Sequence, residues 1–333
     1  MVSGSGSSVA TGVGGSWSKA RQPGGESSEP SNRARRGGDG TLRPRMDISQ
    51  ETPAQFRTTA IRPGPIGLLG EAIGDIRSRW RLIRYLARAD LKKSGTDTLF
   101  GNVWWVLDPV LQMAVYAILV TVIFQRTQEA YPLFIFAALL PWKWLSTVLS
   151  DAIQSVTGQE RLIKQLSFPK IVLPTSAMIA GTAHFVFGLI PLGVMLVVFY
   201  PSRISPYLAF IPLIAVVQFV FVLALGLIVA ALNVFFRDIG NLARHVLRLW
   251  FYLSPALYGA DTVLKLSEQH PTIARLMQLN PMFSILESYR NVIYYGRLPD
   301  FALLAAVLAA SIVLLVIGTI VFKRLEPAFA KVL

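Results

Sequence analysis

Side chains that could carry chemistry are few in this 333-residue sequence, and they form no familiar catalytic pattern. The absence of cysteine excludes a thiol nucleophile, a disulfide framework and a cysteine-based zinc or iron–sulfur site, and three scattered histidines offer little for any metal. The sequence has no G-x-x-x-x-G-K-[ST] phosphate loop, no H-E-x-x-H and no G-x-S-x-G. We therefore predict no catalytic residue, no metal site and no cofactor bound by this chain.

The most informative polar side chain is Lys143, which lies between Trp142 and Trp144 in an apolar run. A lysine deep in a membrane costs about 2.5–3.5 kcal/mol unless it faces protein or water. Successive helix residues point about 100° apart, so we expect Lys143 and one of the two tryptophans to line a polar path. The alternative is a buried pair of Lys143 with Asp108 or Asp151 that holds two helices together. Further candidates for this path are the aromatic residues Trp104, Trp105, Tyr116 and Tyr252.

Composition places these residues in a membrane protein. Hydrophobic residues make up 53% of the chain and charged residues only 15%, whereas soluble domains carry roughly 25% charge. Mean hydropathy is +0.50 and the net charge is +13. The positive charge lies between long apolar runs rather than over a polar surface, so we predict no nucleic-acid partner.

Runs of about 20 apolar residues predict an all-α protein with six membrane spans. The fifth span has the weakest support because the charge-free run between Arg248 and Asp261 is short, so the span must begin among the charged residues Arg244 to Arg248. The short loops and the C-terminal tail on one side carry nine Lys and Arg, against six on the other side, which predicts that both termini are cytoplasmic. The six predicted spans are about 103–124, 133–155, within 171–202, 204–236, about 244–260 and 301–322.

The region before the first span divides into two parts. Residues 1–62 are rich in Gly, Ser, Pro and Arg, which predicts a disordered cytoplasmic tail. Residues 63–98 contain a basic amphipathic helix, about 76–93, whose apolar strip runs beside a basic strip. This pattern is typical of a helix in the membrane interface. The cations expected to meet a lipid head group are Arg84, Arg88, Lys92 and Lys93, either at a specific pyrophosphate or at anionic lipids in general.

Four segments in this order and with this sidedness resemble one family, the membrane subunits of type-2 ABC exporters of polysaccharide, O antigen and teichoic acid. The resemblance covers residues 76–333, of which 99–333 form the transmembrane domain. Phe100-Gly101 departs from the Leu-Gly that is usual in the family. The four segments are KKSGTDTLFGNVWWVLDP (92–109), GQERLIKQLSFPKIVLP (158–174), NVFFRDIGNLARHVLRLWFYLSPALY (233–258) and LNPMFSILESYRNVIYYG (279–296).

The resemblance implies a bacterial plasma-membrane permease that exports a lipid-linked polysaccharide, such as a galactan, or a polyol-phosphate polymer. It implies a homodimer with two ATPase subunits, and these partners would bind the ATP and Mg²⁺. A coupling helix at about 158–168 would contact the ATPase, and re-entrant helices at about 261–300 would close the outer mouth. The coupling residues are Glu160, Arg161, Leu162, Ile163 and Lys164, and the external gate residues are Asn280, Pro281, Tyr289 and Arg290.

Three other classes compete with this interpretation. A drug, antibiotic or lipid efflux permease would share the fold and differ in cargo. A secondary transporter would need intramembrane carboxylates and an internal repeat, and the third, fourth and sixth predicted spans contain no carboxylate. A membrane glycosyltransferase or acyltransferase would need clustered acid, base or metal-binding residues. The sequence does not name the cargo.

Overall fold

A computed structural model of the protein describes residues 63–95, 100–123 and 129–333. Within those ranges the chain is helical, with turns and short 3-10 segments between the helices, and it contains no β-strand. The all-α prediction is therefore confirmed. The tail predicted at 1–62 lies outside the described residues.

The helices are numbered in chain order, and their bounds set the frame for the site. Two of them, α3 and α11, continue into a π-helical turn, at Leu119–Ile123 and Asn291–Tyr295 respectively. The described α-helices are α1 Pro65–Ser78, α2 Trp80–Gly95, α3 Trp104–Ile118, α4 Tyr131–Thr157, α5 Glu160–Gln165, α6 Val172–Val198, α7 Ile211–Phe235, α8 Ile239–Leu253, α9 Ala260–Gln269, α10 Pro271–Gln278, α11 Pro281–Arg290 and α12 Phe301–Val332.

Five stretches of helix in the described chain are long and apolar enough to cross a membrane. They coincide with the first four predicted spans and the sixth. The five stretches are Trp104–Val122, Tyr131–Thr157, Val172–Val198, Pro206–Phe235 and Phe301–Val332.

The predicted fifth span falls mainly on α8, which has only 15 residues. A helix of that length extends about 22 Å, whereas the hydrocarbon core is about 30 Å thick. Helix α8 includes Arg244 and Arg248 and ends before Ser254, after which the chain continues in short helices. A sixth crossing made of one continuous helix is therefore not confirmed.

Helix α4 is the centre of the bundle and packs against both α6 and α7. Close approach to α6 depends on Gly181, because a Cβ atom there would overlap the side chain of Val148. Contact with α7 depends on two buried amides, since Gln218 donates to the Pro141 carbonyl at 2.7 Å and Asn233 to the Ile153 carbonyl at 2.9 Å. Small residues and interhelical hydrogen bonds of this kind hold membrane helices together where lipid removes the hydrophobic driving force.

Helix α12 packs along α7 and extends ten residues beyond the predicted end of the last span. At the contact, a Cβ on Gly318 would lie 2.9 Å from the Ala224 carbonyl oxygen, so only glycine allows this approach. Past the apolar run, the buried rings of Phe322 and Phe329 keep the helix attached to the bundle. The charged end of α12 is thus part of the fold.

The amphipathic region before the first span forms two helices, where the sequence predicts one over 76–93. The chain turns at Arg79, so that α1 packs on α12 and α2 packs on α6. The predicted apolar strip of this region, which includes Trp80, Ile83 and Ala87, is only partly buried. Ile83 and Ala87 are buried, whereas the Trp80 side chain is 44% exposed.

Candidate functional site

Lys143 lies near the middle of α4, where its ammonium group forms an ion pair with Asp108 of α3. The carboxamide oxygen of Gln112, one turn further along α3, lies 3.4 Å from the same nitrogen. Of the two carboxylates offered by the sequence, Asp108 and not Asp151 is the partner. The pair joins α3 to α4 but is not buried as the alternative expected, because the Asp108 side chain is 56% exposed and the Lys143 side chain is 30% exposed.

The two tryptophans beside Lys143 point in different directions. Trp142 is buried against α8, with ring centroids 5.9 Å from Trp250 and 5.4 Å from Phe251. Trp144 is also buried, and its ring stacks on Phe185 of α6 at 4.5 Å. Helical geometry therefore separates them, as the 100° step between residues predicts, and only Trp144 shares a cavity with Lys143.

That cavity, which we call the Lys143 pocket, has a volume of about 190 Å³ and lies between α3, α4 and α6. Two buried ring nitrogens on its lining residues, Trp144 Nε1 and His184 Nε2, have no hydrogen-bond partner within the described chain. The Trp105 ring packs on the His184 ring at 4.5 Å. The pocket is lined by Trp105, Asp108, Pro109, Leu140, Lys143, Trp144, Thr147, Gly181, His184 and Phe185.

The other aromatic residues assigned to the path do not join this pocket. Tyr116 packs on Phe251 at 5.8 Å, on the Trp142 side of α4. Trp104 and Tyr252 are 40% and 56% exposed at the surface of the chain. The seven predicted pathway residues are thus divided, with Trp105, Lys143 and Trp144 brought together and the other four placed elsewhere. Their roles in a pathway stay predictions.

The basic strip of α2 is exposed along its length. Arg84, Arg88, Lys92 and Lys93 are all exposed, and the Arg84 guanidinium lies 5.9 Å from the Trp80 ring centre. Burial of Ile83 and Ala87 on α6 sets this orientation. Contact of these four cations with a lipid head group stays a prediction.

Helix α5 forms at the predicted coupling segment, but its apolar side chains are divided between two environments. Ile163 is buried among the side chains of the bundle and Leu162 is half-buried, whereas Leu166, just after the helix, is 55% exposed. Glu160 and Lys164 form an exposed pair at 2.7 Å, and this hydrogen bond lowers the pKa of Glu160. The surface that α5 leaves open is therefore mostly polar.

An ion cluster around the buried Lys323 connects α1 to α12 and to the segment just before α6. Lys323 of α12 lies 2.8 Å from Asp75, 3.1 Å from Glu71 and 2.8 Å from Glu326. Glu326 also accepts a hydrogen bond from the backbone N–H of Lys170, just after α5. Sequence reasoning missed this cluster, because its members are up to 255 positions apart and each resembles an ordinary surface charge.

We expect Lys323→Met to lower the free energy of unfolding by about 2 kcal/mol. The change leaves three carboxylates without their cation, although the partial exposure of Glu71 and Asp75 reduces the penalty. Thermal unfolding of the purified protein in detergent measures this effect. The matched control is Arg324→Met at the exposed neighbouring position, and equal loss in both variants would contradict the prediction.

The segment predicted to form an external gate contains three short helices, α9, α10 and α11. Asn280 connects the last of these to α8: it accepts from Trp250 Nε1 at 2.9 Å and from the Met282 N–H at 3.0 Å, and it donates to Ser254 at 2.8 Å. Pro281 follows as the first residue of α11. These bonds attach the start of α11 to the end of α8.

Arg290 and Tyr289, at the end of α11, are completely buried. The Arg290 guanidinium donates to the carbonyl oxygens of Tyr258 and Ala256, each at 2.7 Å, and lies 4.0 Å from the centre of the Phe134 ring. An arginine guanidinium stays charged in proteins, so its charge must be balanced inside the bundle. The Glu287 carboxylate, at 3.7 Å, partly balances this charge. Arg290 therefore holds α11 against α4.

These features together define a polytopic helical membrane protein with a polar pocket inside the bundle and a short helix fastened to one end. The sequence profile of the ABC-2 type transporter family matches residues 81–294, and the chain belongs to that family.

Individual relatives show which type of ABC-2 transporter the chain resembles. The chain is 34% identical over 250 residues to the O-antigen export system permease protein RfbA of Myxococcus xanthus, covering 75% of this chain and 94% of the relative. Two proteins of the same name from Klebsiella pneumoniae are 27% and 26% identical, over 255 and 253 residues. Each alignment covers 76% of this chain and 95% of the relative. The family resemblance read from the four sequence segments is confirmed, and the chain is a transport component of an ABC system.

Proposed function

We propose that the protein is the permease subunit that exports a lipid-linked polysaccharide or polyol-phosphate polymer across the bacterial cytoplasmic membrane. The observation that carries the proposal is the nearly full-length similarity to O-antigen export permeases. The chain performs no covalent chemistry in this proposal, and a separate ATPase subunit binds ATP and Mg²⁺. Because one chain has few spans for a wide path, two copies form the channel with two ATPase subunits.

In this arrangement residues 1–62 are a cytoplasmic tail and residues 99–333 are the transmembrane domain. Both termini lie in the cytoplasm. Helix α8 and the short helices that follow it cross the membrane together, in place of one continuous fifth span. Helix α11 re-enters the membrane from outside. The burial of Tyr289 and Arg290 supports this, since backbone at membrane depth needs protein around it. The exposed cations of α2 meet the phosphates of the lipid carrier.

Coupling to the ATPase occurs at α5 in this proposal. Its exposed side chains make the contact, while Ile163 and the nearby Glu326 transmit motion to α12 and α1. A short helix seated in a groove of a partner is a recurring way to join two subunits. Exposure assigns the contact to Arg161, Lys164 and Leu166, with Glu160 and Leu162 at its edges.

Arg161→Glu and Leu166→Asp are expected to reduce export at least tenfold while thermal stability stays unchanged. Both side chains are exposed, so the fold does not depend on them. Surface glycan in a deletion strain complemented with each variant measures export, and ATPase activity of the purified complex reports uncoupling.

Two control variants make this test specific. Arg324→Glu reverses an exposed charge outside α5 and is expected to export normally, whereas Ile163→Asp buries a charge and is expected to unfold the protein. Normal export by both α5 surface variants would refute the coupling role. Unchanged surface glycan in the deletion strain would refute the proposed function itself.

A further inference from the structure

A second, larger cavity opens beside the interfacial helix, at the α5 end of the bundle. It has a volume of about 450 Å³, and we call it the α2 cleft because α2 forms one wall and α4 and α6 form the others. Clefts of roughly 300–1,000 Å³ with a few convergent polar groups are the usual form of small-ligand sites. The cleft is lined by Leu86, Asp90, Lys93, Asp151, Gln154, Ser155, Gly158, Gln159, Leu173, Ser176, Ala177, Ala180 and His184.

The polar side of the cleft is a stripe along one face of α4. Gln154 and Ser155 each lie three or four residues from both Asp151 and Gly158, which places the four on the same side of the chain at the end of α4. Lys143 and Thr147, the preceding members of this series, line the Lys143 pocket. A polar stripe this long on a membrane helix is costly unless it faces water or a polar ligand.

The α2 cleft and the Lys143 pocket meet at one residue. His184 of α6 lines both cavities, so they are adjacent, and we call the two together the polar route, which extends from the α5 end of the bundle to the middle of α4. The inner end of this route carries the buried, unpartnered Nε1 of Trp144, together with the Trp105 ring packed on His184. An unsatisfied buried donor beside aromatic rings indicates a ligand with oxygen acceptors and apolar faces.

The charge along the route indicates what kind of ligand it accepts. Its ionisable linings are three carboxylates and two lysines, with no arginine. One of those lysines, Lys143, is paired with Asp108. With His184 neutral, the net formal charge is therefore −1, in contrast with Arg84, Arg88 and Lys92 of the basic strip, which do not line either cavity. Carboxylates accept hydrogen bonds from hydroxyl groups but repel phosphate.

We infer that the α2 cleft and the Lys143 pocket together bind uncharged, hydroxyl-rich sugar residues of the exported polymer. The inference rests on the proposed function and narrows it, since a neutral glycan suits this lining and a polyol-phosphate chain does not. Carboxylate and amide groups of α4 accept and donate hydrogen bonds at sugar hydroxyls, while the aromatic rings contact the apolar faces of the sugar. The phosphates of the lipid carrier stay outside the cleft, on Arg84, Arg88 and Lys92 of α2.

The test uses the purified complex of permease and ATPase in lipid nanodiscs, without nucleotide. Saturation-transfer NMR compares a neutral hexose tetrasaccharide with a glycerol-phosphate tetramer. We expect the neutral probe to bind and the phosphodiester probe to bind at least tenfold more weakly. Asp151→Leu is expected to weaken the neutral probe about tenfold, because it removes a charged hydrogen-bond acceptor. Asp151→Asn keeps the shape of the side chain and is expected to have a smaller effect.

The matched control is Ser150→Leu, which changes the exposed neighbouring residue outside the cleft lining and is expected to bind as wild type. Equal binding of both probes, wild-type binding by Asp151→Leu and Asp151→Asn, or no binding of the neutral probe overturns the inference. Export in cells separates this result from the proposed function. A deletion strain that loses its surface glycan and regains it with the wild-type gene supports the function whatever the cleft binds.

Discussion

Arg290→Met is expected to destabilise the protein strongly, by about 3–5 kcal/mol. The guanidinium is completely buried, and its removal leaves the carbonyl oxygens of Tyr258 and Ala256 without donors. The same change removes one of the two arginines that lie 3.7 Å from the largely buried Glu287 and leaves the more exposed Arg297 as the other. Breaking a buried pair by removing one partner carries a penalty of this size. Chemical denaturation in detergent measures the loss.

Two further variants identify the cause of that loss. Arg290→Lys keeps the charge but cannot reach both carbonyl groups with a planar fork, so we expect it to recover only part of the stability. Arg275→Met removes an exposed arginine from α10 and is expected to change stability by less than about 0.5 kcal/mol. An Arg290→Met protein as stable as wild type would show that the buried guanidinium does not hold α11 in place.

The long apolar helices could be predicted because membrane insertion depends on the summed hydropathy of a contiguous segment. The predicted third span, within 171–202, contains α6, Val172–Val198. The predicted sixth span and helix α12 both begin at Phe301. The end of the sixth could not be predicted in the same way. Charged residues end a hydropathy window at 322, yet α12 continues because Lys323 and Glu326 neutralise each other inside the bundle.

The predicted fifth span could not be assigned from hydropathy, for a different reason. Arg244 and Arg248 interrupt the apolar run, and hydropathy alone does not distinguish a tilted span from a short helix followed by re-entrant segments. What decides the structure is a set of hydrogen bonds between distant positions, such as Asn280 with Trp250 and Ser254. Nothing in the local sequence pairs those residues.

The candidate site was predicted in outline and not in detail. The cost of an unpaired lysine singled out Lys143, and helical periodicity required the two neighbouring tryptophans to diverge. Choosing Asp108 over Asp151 required the three-dimensional position of α3 relative to α4. At α5, the spacing of Ile163 and Leu166 predicts one apolar edge, but the bundle buries the first and leaves the second exposed.

Lys143→Met tests whether that lysine works in transport or only joins two helices. The variant leaves Asp108 without its cation on a helix proposed to cross the membrane, where a carboxylate costs up to about 2.5–3.5 kcal/mol on insertion scales, and the 56% exposure of its side chain reduces that cost. We expect a lower melting temperature and a loss of export. Lys143→Met with Asp108→Leu removes both charges, so it is expected to regain most of the stability.

Export by the double variant separates the two roles, because stability is then no longer limiting. We expect export to stay at least tenfold below wild type, since the Lys143 pocket has lost both of its charged hydrogen-bonding groups while Trp144 and His184 remain. Lys331→Met, at an exposed position near the end of α12, is the control for removing a lysine elsewhere. A double variant that is stable and exports normally would assign the pair to helix packing alone. A stable, fully active Lys143→Met single variant would exclude both roles and leave a lysine that extends to a lipid head group.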